Sequence, residues 1–142
     1  SLYERLMRKG AALVLRTVRA IESGSYPQLP QPDVDNLKHA PKIFKETCQI
    51  DWNQPAMQVH NFIRGLSPYP AAWTMLQGKV CKIYRTEVGE VRSDVNSGHF
   101  ETDGKSYLHF GCAEGVVKVM ELQVEGKKRM GIEEFLRGFR LE

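Results

Sequence analysis

Lys127, Lys128 and Arg129 stand side by side directly after Gly126. Three adjacent cations at a turn have the chemistry to meet successive phosphates, a contact that supplies affinity without reading sequence. A solvated turn is the competing reading of the same triplet. A second group, Lys79, Lys82 and Arg85 with Tyr84 among them, makes a cationic strip with an aromatic. Small barrels of the OB type commonly hold nucleic acid on such faces. Charged strands also protect sheet edges from aggregation, so the strip too has two readings.

Other chemistry finds little footing. His39, His60, His99 and His109 fall in separate segments, none at metal-ligand spacing from another His or Cys. Each is expected to be solvated or structurally satisfied. Cys48, Cys81 and Cys112 are odd in number, far apart and without a Cys-x-x-Cys pair. Neither a disulfide framework nor a zinc site is indicated, and reduced cysteines of a cytoplasmic protein are expected. There is no Gly-x-Ser-x-Gly, P-loop or dinucleotide fingerprint. Asp94, Glu101 and Asp103 read as turn-region acids, with nothing beyond their presence to support carboxylate-pair catalysis. No catalytic, cofactor-binding or metal-binding residue is therefore expected in these 142 residues.

The elements that must position the cations are legible from periodicity. Tyr3, Leu6, Met7, Ala11, Val14, Val18 and Ile21 recur at helical steps, predicting a helix over Leu2 to Glu22 with Gly24 as its stop. Ser1 and Glu4 have capping-box spacing. Such an apolar stripe needs a packing surface. Pro27, Pro30, Pro32 and Pro41 then predict a linker over 24–50, whose stretch from His39 to Glu46 mixes apolar and basic residues and reads as laid on a surface. Asn53 as N-cap and Pro55 in the first turn open a short helix with Val59, Phe62, Ile63 and Leu66 as its buried stripe.

From Ala71 the pattern turns to β. Strands are expected over Ala71–Gln77, Lys79–Val88, Gly98–Thr102, Lys105–Phe110 and Val116–Val124, separated by Gly-containing turns. The last carries apolar residues on both faces and belongs at the centre. Trp52 and Trp73 are expected to pack rather than stack on bases, with Trp73 starting the core. Ile132 to Phe139 reads as a closing helix. The expected fold is mainly β with α: a small OB-like antiparallel Greek-key barrel preceded by a linker and helices. The domains are 1–23, 24–50 and 51–142.

Global charge argues little for nucleic acid. The excess of +3 lies in the first 23 residues, which hold five Arg/Lys against two Glu; positions 24–70 and 71–142 are each balanced. Any basic footprint must come from local clustering. A composition 42% hydrophobic and 26% charged is that of a soluble globular chain. No apolar run approaches the ~20 residues that span a bilayer. The start lacks the basic-then-apolar layout of a signal peptide.

Taken in order, several blocks resemble the linker and entry helix of the methionyl-tRNA formyltransferase family. They are Ala40-Pro41-Lys42-Ile43-Phe44-Lys45-Glu46, Ile50-Asp51-Trp52, Pro55-Ala56, and the run from Ile63-Arg64-Gly65-Leu66-Ser67-Pro68-Tyr69-Pro70 to Ala71-Ala72-Trp73-Thr74. Leu122 to Met130 resembles the family's last strand and its Gly-Lys-Lys/Arg-x-Met tail. Leu2 to Gly24 resembles the final helix of its catalytic domain. Tyr69 stands where the family often has Trp, and some members run on past the counterpart of Phe139.

The resemblance implies a C-terminal fragment of an enzyme that formylates the methionyl amine of initiator tRNA. The formyl donor, 10-formyltetrahydrofolate, and an Asn/His/Asp trio belong to an amino-terminal domain whose His-x-Ser-Leu-Leu-Pro motif is absent here. The fragment is thus expected to be inactive alone, to act in translation initiation with that domain in cis, and to have no membrane partner. The family's barrel and linker cradle the tRNA acceptor arm, which implies Lys42, Lys45, Arg64, Lys79, Lys82, Lys127, Lys128 and Arg129 as phosphate contacts. A scaffold domain of a related formyltransferase, acting on a nucleotide sugar or on folate, is the alternative; the Gly-Lys-Lys-Arg-Met loop favours tRNA. A purely structural interaction domain is a third reading.

Overall fold

The computed structural model describes residues 2–33, 35–89 and 95–141. Ser1 and Asp94 lie outside the described residues. The chain divides into two compact units, Ser1–Ala40 and Pro41–Glu142.

The first unit is built on helix α1, Leu2–Glu22. It stops as its sequence predicts. Gly24 takes a φ of +68°, Gly24 N–H donates to the Ile21 carbonyl and Ser25 N–H to that of Ala20. A residue with a Cβ would resist that left-handed turn, which here satisfies two orphan carbonyls. No residue of α1 is buried, and Tyr3, Leu6, Met7, Val14, Val18 and Ile21 are each about half or more exposed. The apolar stripe therefore finds no cover within this unit.

The second unit is a curled antiparallel sheet with two helices, mainly β with α, and OB-like. Its strands are β1 Ala72–Leu76, β2 Lys79–Val88, β3 Phe100–Thr102, β4 Leu108–Gly111, β5 Val116–Val124 and β6 Met130–Gly131. The order is β1-β2-β5-β4-β3, with β6 also on β5. Strands β3, β4 and β5 form a meander, and β2 returns to lie beside β5, which is Greek-key connectivity. β5 is central, as its two-faced apolarity predicts: one edge pairs with β2, the other with β4 at its start and β6 at its end.

A bulge curls the sheet. The core side of β2 takes Cys81 and Ile83, then Thr86; that of β5 takes Val117 and Val119, then Leu122 and Val124. Both strands slip phase opposite each other, where the register breaks on either side of Arg85. An extra residue bends a strand and increases its twist, so the paired slips turn two long strands into a curved wall.

Helix α2, Ala56–Leu66, covers the wall with Ala56, Val59 and Ile63 buried and Phe62 and Leu66 packed at the margin. Its N-terminus differs from expectation. Pro55, not Asn53, precedes the first helical residue, and Asn53 N–H donates to the Asp51 carboxylate. Ala56 N–H donates to the Glu114 carbonyl, and Ala113 N–H to that of Gln54, so the β4–β5 turn satisfies the helix start without a side-chain cap. Helix α3, Ile132–Gly138, buries Ile132, Phe135 and Leu136. Residues 41–50, within the span that the prolines mark as linker, lie in this unit: Cys48 and Ile50 are buried, and Gln49 bridges Trp73.

Two expectations about the strands are corrected, and a sixth strand is added. Trp73 does not start the core; Ala72, Thr74 and Leu76 face inward and Trp73 stands half-buried on the outer face. β4 begins at Leu108 rather than Lys105, because the Asp103 carboxylate accepts the N–H groups of Lys105, Ser106 and Tyr107 and holds them in a turn. β6 was unforeseen, being too short to carry a period. Trp52 does pack inside, its ring stacked on Phe110 at 4.4 Å and its Nε1–H donated to Thr74 Oγ1. All three cysteines are free and buried; burial pushes the thiols of Cys81 and Cys112 up to about 12 and about 11.

Candidate nucleic-acid interface

Strand alternation gives the sheet an outer face, and the register puts Trp73, Lys82 and Gln123 in one row across β1, β2 and β5. Neighbouring strands lie ~5 Å apart, so residues in register are side by side. The row is held at both ends. Trp73 Nε1–H donates to the Lys45 carbonyl at 2.8 Å, and Ile50 N–H to the Trp73 carbonyl at 2.8 Å, laying residues 45–50 along β1. At the other end Gln123 Nε2–H donates to the Lys127 carbonyl at 2.9 Å. Lys45 and Lys82, 37 positions apart in sequence, line one concavity of about 310 Å³ with Val80, Gln123, Val124 and Glu125.

The bulge adds a second tier. Tyr84 OH donates to Gln123 Oε1 at 2.8 Å, and the Arg129 guanidinium lies 4.1 Å over the Tyr84 ring. Arg129 also grips Glu121 with two hydrogen bonds, Nε at 2.8 Å and Nη2 at 2.7 Å. Hydrogen bonding from Arg129 is the largest cause, with the nearby Arg85 charge contributing, that holds the Glu121 carboxyl below the usual glutamate range.

The predicted cations are thus sorted. Lys45 and Lys82 share the concavity, and Lys127 stands on the turn tied to its edge; none of the three makes an ion pair with another described residue. Lys128 is paired with Glu134 at 2.9 Å. Arg129 is committed to Glu121 and Tyr84. Lys79 has the strand parity of Cys81 and Ile83, not of Lys82, and its ammonium lies 5.9 Å from the Phe139 ring. Lys42 lies 5.4 Å over the Phe44 ring, and Arg64 donates to Asn61 on the exposed side of α2. The cationic strip read along β2 is therefore divided: Lys82 and Arg85 face outward and Lys79 does not join them.

The histidines are spoken for or exposed. His60 Nδ1 lies 2.9 Å from the buried Thr86 hydroxyl, His109 Nδ1 donates to Glu101, and His39 and His99 are exposed. Among the described residues no group of three His, Cys, Asp or Glu could hold a metal ion, and no helix is long and apolar enough to cross a membrane. Sequence reading missed Glu121 and Gln123. The signal for Glu121 was the short hairpin between β5 and β6, which sets Glu121 opposite Gly131, two residues from Arg129.

Fold and face together define the class: an OB-like Greek-key half-barrel with Lys82 and Arg85 on its outer face. The family model described as formyl transferase, C-terminal domain, matches residues 42–140, and the chain belongs to that family. It is 47% identical over 97% of its length to the methionyl-tRNA formyltransferase of Phocaeicola vulgatus and 44% identical over 99% to that of Parabacteroides distasonis. The chain spans a little under half of these relatives, 45% and 46% of their lengths. Among solved structures, HypX from Aquifex aeolicus in complex with tetrahydrofolic acid shares the fold at a TM-score of 0.60 and 19% identity, over 91% of this chain and 23% of that one.

Proposed function

We propose that this chain is the C-terminal, tRNA-contacting part of a cytoplasmic methionyl-tRNA formyltransferase acting in translation initiation. Formyl transfer from 10-formyltetrahydrofolate to the methionyl amine belongs to a catalytic domain in cis, against which the apolar stripe of α1 packs. The observation that carries the reading is the convergence of Lys45 and Lys82 on one concavity from separate segments of the chain. Two lysines against the single carboxylate of Glu125 leave the groove with an excess of positive charge, which suits a phosphodiester backbone because that needs charge but no base-specific pattern. Lys127 lines a neighbouring concavity and is a further contact; Lys42 and Arg64 are outlying ones.

Acyl transfer needs a general base at the amine and donors for a tetrahedral oxyanion. The two half-buried histidines here are already engaged by Thr86 and Glu101, which supports a binding role rather than a chemical one. An electrophoretic mobility shift with initiator tRNA tests the proposal. The chain is expected to bind at ~50 mM salt and to lose affinity steeply by ~200 mM. Lys45→Ala/Lys82→Ala should weaken binding about tenfold and lower the salt slope by about two phosphate equivalents. An unchanged slope refutes the assignment, and turnover of formyl donor by this chain alone refutes the division of labour.

A further inference from the structure

Three adjacent cations invite the assumption that all three face phosphate. The structure points elsewhere. A closed relay of side chains runs from Glu121 through Arg129 to the ring of Tyr84, from the Tyr84 hydroxyl to Gln123, and from the Gln123 amide to the carbonyl of Lys127. The turn it closes is held from inside as well, since Lys127 N–H donates to the Val124 carbonyl at 2.9 Å and Gly126 takes a φ of +79°. Both carboxylate oxygens of Glu121 are used by Arg129, a planar fork-to-fork fit that a lysine cannot reproduce. Arg129 therefore has its charge answered and its flat face occupied, while Lys127 makes no ion pair with another described residue.

We infer that Arg129 is a positioning residue that latches the Val124–Arg129 turn onto the outer face, and that Lys127 alone of the three tail cations contacts phosphate. This rests on the tRNA reading above and deepens it. Lys128, paired with Glu134 at three-quarters exposure, is spare. The latch ties the Lys127 backbone to the edge of the Lys45–Lys82 row and sets its side chain in a neighbouring concavity with Met130, Glu134 and Phe139.

Variants separate a latch from a contact. Binding is read with unacylated initiator tRNA and the whole chain, across a salt series. Lys127→Ala is expected to lower the salt slope by about one phosphate equivalent. Arg129→Lys keeps the charge but loses the fork; a latch loses about threefold or more in affinity, whereas a phosphate contact would be retained. Arg129→Lys added to Lys127→Ala should cost nothing further, because the first acts through the second. Glu121→Gln gives the opposite signs most directly: it weakens binding if Arg129 is a latch. It strengthens binding if Arg129 is a contact, since it frees a cation and removes an anion from the face.

The latch is also read without RNA. Amide exchange at Lys127 should quicken about tenfold in Arg129→Met and in Glu121→Gln, while amides of β4 stay protected. Unchanged exchange overturns the latch whatever the RNA does. If the native chain binds no tRNA but exchange quickens as stated, the functional reading fails and the latch stands. Stronger binding by Glu121→Gln, or additive losses in the double variant, overturns the inference.

Discussion

Glu121 shows how much one residue on this face decides. Its carboxyl is depressed chiefly by hydrogen bonding from Arg129. A carboxyl whose folded pKa lies below its unfolded value stabilises the fold above the unfolded value and loses that contribution as pH falls through the folded one. In chemical denaturation between pH 7 and pH 3, the native chain should therefore lose stability below the ordinary glutamate range (~4.3) more steeply than Glu121→Gln does. Superimposable curves would mean that the Arg129 pair contributes nothing. The pair is partly exposed, so the effect belongs in the modest range of surface ion pairs. At this scale the sequence was legible where a residue type has one job. Gly24 ended its helix, and Trp52 packed inside. It was least legible at Trp73, whose indole is as apolar as any core ring; only strand parity turned it outward.

Elements fix what residues alone leave open. The slip around Arg85 brings Tyr84 and Arg85 to the face that Lys82 occupies, and leaves Lys79 beside Phe139. No propensity marks such a bulge; it follows from the need to keep Thr86 and Val119 in the core on strands that also bury Ile83 and Leu122. A second crowded point is the approach of residues 95–96 to β4. Gly98 N–H donates to the Gly111 carbonyl, Gly111 N–H to that of His99, and a Cβ at Gly111 would stand 2.4 Å from the Asn96 carbonyl oxygen. Gly111→Ala must displace that backbone, and a loss of about 2–3 kcal/mol in urea denaturation is expected. A loss within ~0.5 kcal/mol would show that the segment yields freely. The start of β4 was misjudged for a local reason: Asp103 gathers three N–H groups that would otherwise enter the ladder, and β-type residues such as Tyr107 do not announce the competition.

At the scale of the molecule, the described residues separate into a helix without a buried side chain and a unit that holds the core. Among the described residues, none that is buried lies before Cys48. A chain of residues 41–142 should therefore fold with a melting midpoint within ~2 °C of the whole chain, checked by calorimetry. A drop above ~5 °C would show that 1–40 contributes to this core. The sequence by itself determined the class of fold, the central place of β5, the stop of α1 and the blocks that resemble one family, because these rest on local periodicity and on residues with few conformational alternatives. Only the tertiary structure decided which cations share a face. Lys45 and Lys82 are far apart along the chain yet line one concavity, whereas Lys127, Lys128 and Arg129 are adjacent and have different surroundings. Register, bulge and hairpin set such neighbours, and they are settled by the packing of a core that no short window of sequence contains.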